Sequence, residues 1–332
     1  MTNLTRNFFI ALSHNDILNK GAQRWGLKLG AEQFVAGVDI ESVLQVVKQL
    51  NNRGITATVD HLGEFVTDPA KSITAKDNIL RLIERINEEK LACHLSIKLT
   101  QLGLDIDEDF CLNNFKEIVT LANKYNIFIN IDMEDYLHYE QTLRILDEVR
   151  KNHSNVGTVI QTYLYRAEAD MEALKDLRLR IVKGAYKESP DISLQSKEDI
   201  DANFLNLAKK RLAGDVFTSI ATHDHHIINE LKKFAERENI PKTHFEFQML
   251  YGFRTDLQHS LVDEGYLLCT YVPFGDDWYG YFMRRLAERP QNINLIIKDK
   301  LYTKDNKIKK APLAIGAVLT ALFTYLFLRK RK

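Results

Sequence analysis

The sequence predicts an α/β fold: a (β/α)8 barrel of the TIM type, with helices before it and a hydrophobic helix after it. Three observations carry this. From residue 55 a short β-rich run alternates with a helical run eight times. The eight units occupy about 235 residues, the size of such a barrel. An open doubly wound sheet is the alternative, but the G-x-G-x-x-G loop expected after its first strand is absent.

The elements follow in order. Residues 1–54 read as helices packing on the barrel, for example Ala31–Val38 and Ile40–Asn51. The barrel spans residues 55–300. Its β runs are Ile55–Asp60, Ala92–Lys98, Ile127–Asp132, Thr158–Gln161, Leu179–Gly184, Val216–Thr222, Thr243–Gln248 and Tyr266–Tyr271. Helical patterns between them include Ala75–Lys90, Asn114–Tyr125, His138–Lys151, Ile200–Leu212 and His226–Glu238. The closing stretch, YVPFGDDWYGYFMRRLAERP, runs from Tyr271 to Pro290. It turns at Pro273 and Gly275, starts a helix capped by Asp276 or Asp277, and stops at Pro290. Arg284 and Glu288 are four apart and share a face, while Arg285 is turned about 100° away. Two adjacent guanidinium groups, one steadied by a carboxylate, suit bidentate capture of a small carboxylate or phosphate. A solvated basic spot on a surface helix is the simpler alternative.

The strands alternate in polarity. Ile127, Ile129 and Ile131 point one way; Phe128, Asn130 and Asp132 point the other. Thr56, Thr58 and Asp60 share a face, as do His94, Ser96 and Lys98, and His244, Glu246 and Gln248. In a closed barrel the apolar faces meet the helices and the polar faces enter the lumen. Barrel interiors are usually filled by branched apolar side chains. A polar lumen costs free energy unless its groups are paired, so this barrel is expected to hold a polar ligand at its C-terminal end. A self-satisfied polar network without a ligand is the competing reading. Asp60, Lys98, Asp132, Gln161, Arg180, Thr222, Gln248 and Tyr271 converge there. Lysine and arginine in an enclosed site suit an anion, or a cofactor that becomes electron-rich when reduced. Gly184, in the run Arg180–Tyr186, allows close approach of the backbone to a flat or phosphorylated ligand.

Composition limits the function classes. The chain has 332 residues, 45% hydrophobic and 27% charged, as ordinary globular chains do. Its three cysteines, Cys93, Cys111 and Cys269, lack metal-type spacing and point to a reducing compartment. Net charge is zero, but from Lys304 onward eight basic residues face one acidic, a net of +7. The rest, with 37 basic and 44 acidic residues, carries −7. An acidic body argues against nucleic acid as a partner. A rival chemistry is a metal-dependent barrel hydrolase using His61, His223 and His225, since such enzymes place histidines at strand ends. Against it, the strands supply no carboxylate-rich ligand set. A Schiff-base lyase on Lys98 or Lys183 is conceivable, but no spacing selects it.

The chain also resembles the proline dehydrogenase family. The resemblance rests on DHLGE (Asp60–Glu64), SIKLTQLG (Ser96–Gly103), IDMED (Ile131–Asp135), VIQTYLYR (Val159–Arg166), RIVKGAY (Arg180–Tyr186), ATHD (Ala221–Asp224), FEFQMLYG (Phe245–Gly252) and YVPFGDDWYGYFMRRLAE. It covers residues 1 to about 300 and is nearest the stand-alone bacterial enzymes. It implies FAD-dependent oxidation of L-proline to Δ1-pyrroline-5-carboxylate, with hydride passing to flavin N5 and electrons to a membrane quinone. It further implies that Arg284, Arg285 and Lys98 hold the substrate carboxylate and that Glu288 orients the arginines. By the same resemblance Tyr271 and Leu250 would wall the proline ring, and Asp132 resembles the family's active-site carboxylate. Arg180 resembles the arginine at flavin N5, and Met133, Gln161, Lys183, Gly184, Ala185, Thr222 and His223 match positions that contact FAD in the family. No metal is implied.

Beyond the barrel, residues 301–332 read as a basic linker and an anchor. Ala311–Leu328, APLAIGAVLTALFTYLFL, carries no charge. Its eighteen residues span about 27 Å as a helix, near the thickness of a bilayer's hydrocarbon core. A buried core helix would show a broader polar stripe than Thr320, Thr324 and Tyr325 provide. Lys307, Lys309 and Lys310 precede this segment and RKRK follows it. With no signal peptide read at the N-terminus, the expectation is a catalytic domain on the cytoplasmic side of the membrane, tethered to the bilayer at its C-terminus.

Overall fold

The computed structural model describes residues 31–288, with side chains as far as Met283. Among them eight parallel strands close a barrel in the sequential order β1 to β8. The strands are β1 (Thr56–His61), β2 (Cys93–Ile97), β3 (Ile129–Ile131), β4 (Val156–Gln161), β5 (Leu179–Val182), β6 (Thr218–Ala221), β7 (Phe245–Leu250) and β8 (Leu267–Phe274). The helices are α1 (Ile40–Asn51), α2 (Pro69–Glu88), α3 (Glu108–Lys124), α4 (Tyr139–Val149), α5 (Ala167–Ala173), α6 (Lys197–Leu212), α7 (His225–Arg237), α8 (Thr255–Asp263) and α9 (Trp278–Glu288). The compact barrel unit runs from Glu32 to Trp278, and Tyr279 begins a second unit. The expected barrel is therefore observed.

Local chemistry explains the boundaries. Asp39 caps α1 by accepting the Ser42 N–H at 2.8 Å. Asp68 caps α2, where Pro69 occupies the first turn and needs no hydrogen bond. Asp107, Ser196 and Asp224 cap α3, α6 and α7 in the same way. Such caps contribute roughly 0.5–2 kcal/mol each. The outward faces of the strands form the apolar layer under the helices: Ala57, Val59, Leu95, Ile97, Ile129, Ile131, Phe245 and Phe247 are all buried. Each large side chain of that layer gains roughly 1.5–3 kcal/mol from burial. The inward faces carry the polar groups, as the alternation predicts.

Several elements begin or end a few residues from the expected positions, and two stretches differ in kind. Ala31–Val38 is not a helix; only Ala31–Gln33 forms a 3-10 turn. Beyond it the backbone bonds to the end of β8, with Ala36 N–H on the Pro273 carbonyl at 2.9 Å and Gly275 N–H on the Gly37 carbonyl at 3.0 Å. Those bonds replace helical ones. Secondly, β8 continues through Pro273 to Phe274. Proline lacks a donor, but its carbonyl is used by Ala36, and the Phe274 carbonyl accepts the Leu62 N–H at 2.9 Å. The helix expected to begin after Asp276 or Asp277 does start at Trp278.

The 3-10 turn lies hard against the loop after β7. Gly252 there has φ +77°, and a Cβ on it would fall 1.7 Å from the Gln33 carbonyl oxygen. Gly252→Ala is expected to cost roughly 2–4 kcal/mol through strain and overpacking. Chemical denaturation should show a lower midpoint with an unchanged slope; an unchanged midpoint would mean that these segments do not meet.

Candidate active site

The lumen is built in layers. On its floor the Arg178 guanidinium lies between the rings of Phe128 and Phe217, 4.3 and 4.7 Å from their centroids. Arg178 donates to Glu246 Oε1 at 2.8 Å, and Ser219 and Gln248 each donate to the same oxygen at 2.7 Å. His94, Glu246 and Cys269 bring ligand-type atoms within 4.8 Å of one another. Arg178 already neutralises Glu246, so a cation there meets repulsion. This is the only such group among the described residues.

One layer up, Arg180 pairs in register with Val159 and Ser219, in mid-strand and not at its end. It is 4% exposed. Its Nη2 donates to Ser96 Oγ at 2.7 Å and Thr58 Oγ1 at 3.4 Å, and its Nη1 reaches Asp132 Oδ1 at 2.7 Å. The two hydroxyls aim the guanidinium upward. At the top, Asp132 leaves β3 and also accepts from Asn130 at 3.2 Å. Lys98 Nζ lies 2.7 Å from Asp60 Oδ2, 3.4 Å from Asp132 Oδ2 and 3.0 Å from the Tyr271 hydroxyl. That hydroxyl is 2.7 Å from Asp60 Oδ2 and 2.8 Å from Asp132 Oδ2. Two carboxylates, two cations and a phenol thus form one network.

Burial sets the protonation of this network. It pushes the Asp60 carboxyl up, an effect that Lys98 only partly offsets. Burial acts on Asp132 too, but Lys98 and Arg180 together outweigh it and hold Asp132 below the usual carboxylate range. Burial acts to lower the Lys98 pKa; the charges of Asp60, Tyr271 and Asp132 reverse this and hold it well above the ordinary lysine range. Tyr271 is driven up by burial and then by the two carboxylates, so its proton stays on.

On the β5–β6 side, Lys183 Nζ pairs with Asp201 and lies 3.5 Å from Asp224. Thr222 is buried; its hydroxyl accepts the Asp224 N–H at 3.1 Å. His223 Nε2 accepts the Leu250 N–H at 3.3 Å. Gly184 has φ +115°, and a Cβ on it would lie 2.3 Å from the Tyr163 ring. Ala185 is exposed. On the β3–β4 side Met133 packs with Val159 and Tyr163. Gln161 donates to the Glu134 carbonyl at 2.8 Å. A surface hollow lined by Asp147, Arg150, Lys151, His153, Ser154, Asp176 and Leu177 lies at the opposite end of the strands and shares nothing with this network.

Comparisons with known proteins identify the family. The sequence profile of the family described as Proline dehydrogenase matches residues 43–296. The chain belongs to the proline dehydrogenase family. It is 44% identical over 297 residues to proline dehydrogenase 2 of Bacillus subtilis, covering 89% of this chain and 98% of that one. Proline dehydrogenase of Deinococcus radiodurans is 42% identical over 286 residues, covering 83% and 91% respectively. A crystal structure of proline utilization A from Bdellovibrio bacteriovorus, inactivated by N-propargylglycine, superposes with a TM-score of 0.73. It is 26% identical and covers 80% of this chain and 33% of that one.

The structure brings some of the expected site residues together and not others. Lys98, Asp132, Arg180 and Tyr271 meet in one network. Met133 and Gln161 lie on the β3–β4 side, in contact with other groups, and Lys183, Thr222, His223 and Leu250 lie beyond β5 in the strand order. Arg284, Arg285 and Glu288 fall on α9, but their side chains lie outside the described ones. The histidine hydrolase reading is corrected. His61, His223 and His225 form no ligand group among the described residues. His61 binds Gln101 through Nδ1 at 3.0 Å, and burial lowers its pKa to about 4. His223 is taken by the Leu250 N–H, and His225 is exposed beside His226. Two residues of the quoted motifs matter more than the sequence suggested. Asp60 is the partner of both Lys98 and Tyr271. Glu134, in IDMED, accepts the Thr100 N–H at 3.1 Å and the Thr100 hydroxyl at 2.6 Å. Nothing short of the loop geometry reveals that second contact.

Burial raises the Glu134 carboxyl from 4.5 to about 7. The folded chain therefore holds this proton more tightly than the unfolded one, and stability falls as pH rises from about 4.5 to about 7. Over that window the loss is on the order of 3 kcal/mol, fully present above it. Glu134→Gln should flatten the fall by about this amount. Melting temperatures of both proteins from pH 4.5 to 8 check it; parallel curves would contradict it.

Proposed function

We propose that this chain oxidises L-proline to Δ1-pyrroline-5-carboxylate with FAD as cofactor and passes the electrons to a membrane quinone. The observation that carries the proposal is the buried network in which Asp132 bridges Lys98 and Arg180, in a chain of this family. The residues present fit a flavin. Arg180 Nε, Gln248 Oε1 and Thr162 Oγ1 are buried without a hydrogen-bond partner. Gly184, at φ +115°, lets the turn after β5 pack against the Tyr163 ring, where a side chain could not fit. Met133, Gln161, Arg180, Lys183, Gly184, Ala185, Thr222 and His223 would hold FAD, which when bound supplies the hydride acceptor.

The chain's own groups do the rest. Two hydrogens leave proline, one as hydride from C5 toward the bound cofactor and one as a proton from nitrogen to solvent, and a C=N bond forms. Lys98, Arg284 and Arg285 hold the carboxylate, and Glu288 steadies the arginine pair. Tyr271 and Leu250 bound the ring, so that C5 is presented in one orientation. Asp132 stays ionised between two cations and faces the substrate nitrogen. Arg180 is fixed by Ser96, Thr58 and Asp132, and its charge favours the reduced, electron-rich cofactor.

The tail places the catalytic unit near the acceptor. Among the described residues no helix is long and apolar enough to cross a membrane; Ala311–Leu328 lies outside them. We assign that segment the role of a bilayer tether on the cytoplasmic side. Its flanking basic residues meet lipid headgroups, and it raises the local concentration of quinone.

Three outcomes follow. Arg284→Met or Arg285→Met removes a charge-assisted bond of roughly 1.5–3 kcal/mol, so kcat/KM for proline should fall about 10–100-fold with flavin content kept. Unchanged kinetics would remove the clamp. Arg180→Met should lower the flavin reduction potential, measured by redox titration; a potential that stays or rises contradicts its role. A chain ending near Tyr302 should leave the membrane pellet yet reduce a soluble dye with proline at nearly the full-length rate. Full-length protein found in the supernatant sinks the tether.

A further inference from the structure

We propose that Asp60 is a positioning residue for this reaction: it fixes Lys98 and Tyr271 and keeps Lys98 charged for the substrate carboxylate. The inference rests on the proline-oxidising reading above.

The division of labour among the carboxylates carries it. Asp132 is committed to Arg180, 2.7 Å away, and stands 3.4 Å from Lys98. Asp60 is 2.7 Å from Lys98 and makes no contact with Arg180, so it is the principal counter-ion of Lys98. The same Oδ2 is 2.7 Å from the Tyr271 hydroxyl. One buried oxygen therefore sets the place of two side chains that close the site. Asp60 is 1% exposed, and its Oδ1 is buried without a partner. A buried ion pair with an unsatisfied oxygen gives a fold little net stability. Its use lies in what it does to Lys98.

The groups facing Lys98 make this specific. They are Asp60 on β1, Glu64 in the loop after β1, Asp132 just past the end of β3, Glu134 in the loop that follows and Tyr271 on β8. Arg180 on β5 lies across the Tyr271 ring, its guanidinium 5.5 Å from the ring centroid. Remove the Asp60 charge and Lys98 is left buried, with its nearest remaining carboxylate shared with Arg180. A buried ammonium so placed loses its proton readily. A neutral amine cannot hold a carboxylate by charge, so substrate binding would fade as pH rises.

The test uses the full-length flavoprotein and cyclopentanecarboxylate, a ring acid without the amine, whose binding is read from the flavin spectrum between pH 7 and 10. Wild type and Asp60→Glu should bind it with affinity constant within about threefold over this range. Asp60→Asn should keep flavin, bleach with proline at pH 7, and lose tenfold or more in affinity above about pH 8. An Asp60→Asn profile that matches wild type overturns the proposal. So does an Asp60→Glu protein that weakens like Asp60→Asn, since the role is then packing and not charge. Should Asp60→Asn fail to fold, Asp60→Ser, which also removes the charge, takes its place: it should lose tenfold or more in affinity above about pH 8, and a profile that matches wild type overturns the claim. Bleaching of wild type by L-proline tests the functional reading separately, so the two cannot fail unnoticed together.

Discussion

The structure turns on the burial of charge inside the barrel. Asp132 between Lys98 and Arg180, with Asp60 beside Lys98, places two anions and two cations in a lumen that most barrels fill with aliphatic side chains. Each ion removed from water costs several kcal/mol, and only close pairing offsets it. The pairing is close, and the formal charges cancel. Removing any one member leaves an uncompensated buried charge. Thr58, Ser96, Asn130 and Tyr271 serve this network, and the strand register brings them to it. Even the floor follows the same logic, with Glu246 neutralised by Arg178.

Such a network stabilises the chain poorly, since apolar side chains of the same volume would do as well. It suits a ligand that brings its own charge. A zwitterionic amino acid carries one charge of each sign, and a flavin gains negative charge on reduction. Asp60 is the nearer carboxylate to Lys98, and Asp132 is the nearer to Arg180. The family membership and the geometry point the same way without depending on each other.

Much of this was legible in the sequence because a strand's two faces report separately. The alternation in Ile127–Asp132 and in Ala92–Lys98 named the lumen groups before any fold was known. Eight repeats of that rhythm named the barrel. The chain before Ile40 misled because Ala31–Val38 has a helical composition, while its backbone finds partners at the end of β8 that no local pattern encodes. The histidines misled for a related reason. Their types suit a metal, but His61 turns to Gln101 and His223 takes the Leu250 N–H, choices set by loops and not by spacing. Asp60 stood among the converging polar residues, yet its hold on both Lys98 and Tyr271 depends on the closure of β1 against β8, a long-range pairing.

The absorption spectrum of the purified full-length protein, recorded without oxygen before and after L-proline is added, tests the central claim most directly. The account predicts flavin bands that bleach on adding L-proline and stay when the added compound is cyclopentanecarboxylate. A colourless protein, or flavin bands that proline leaves unchanged, would contradict it.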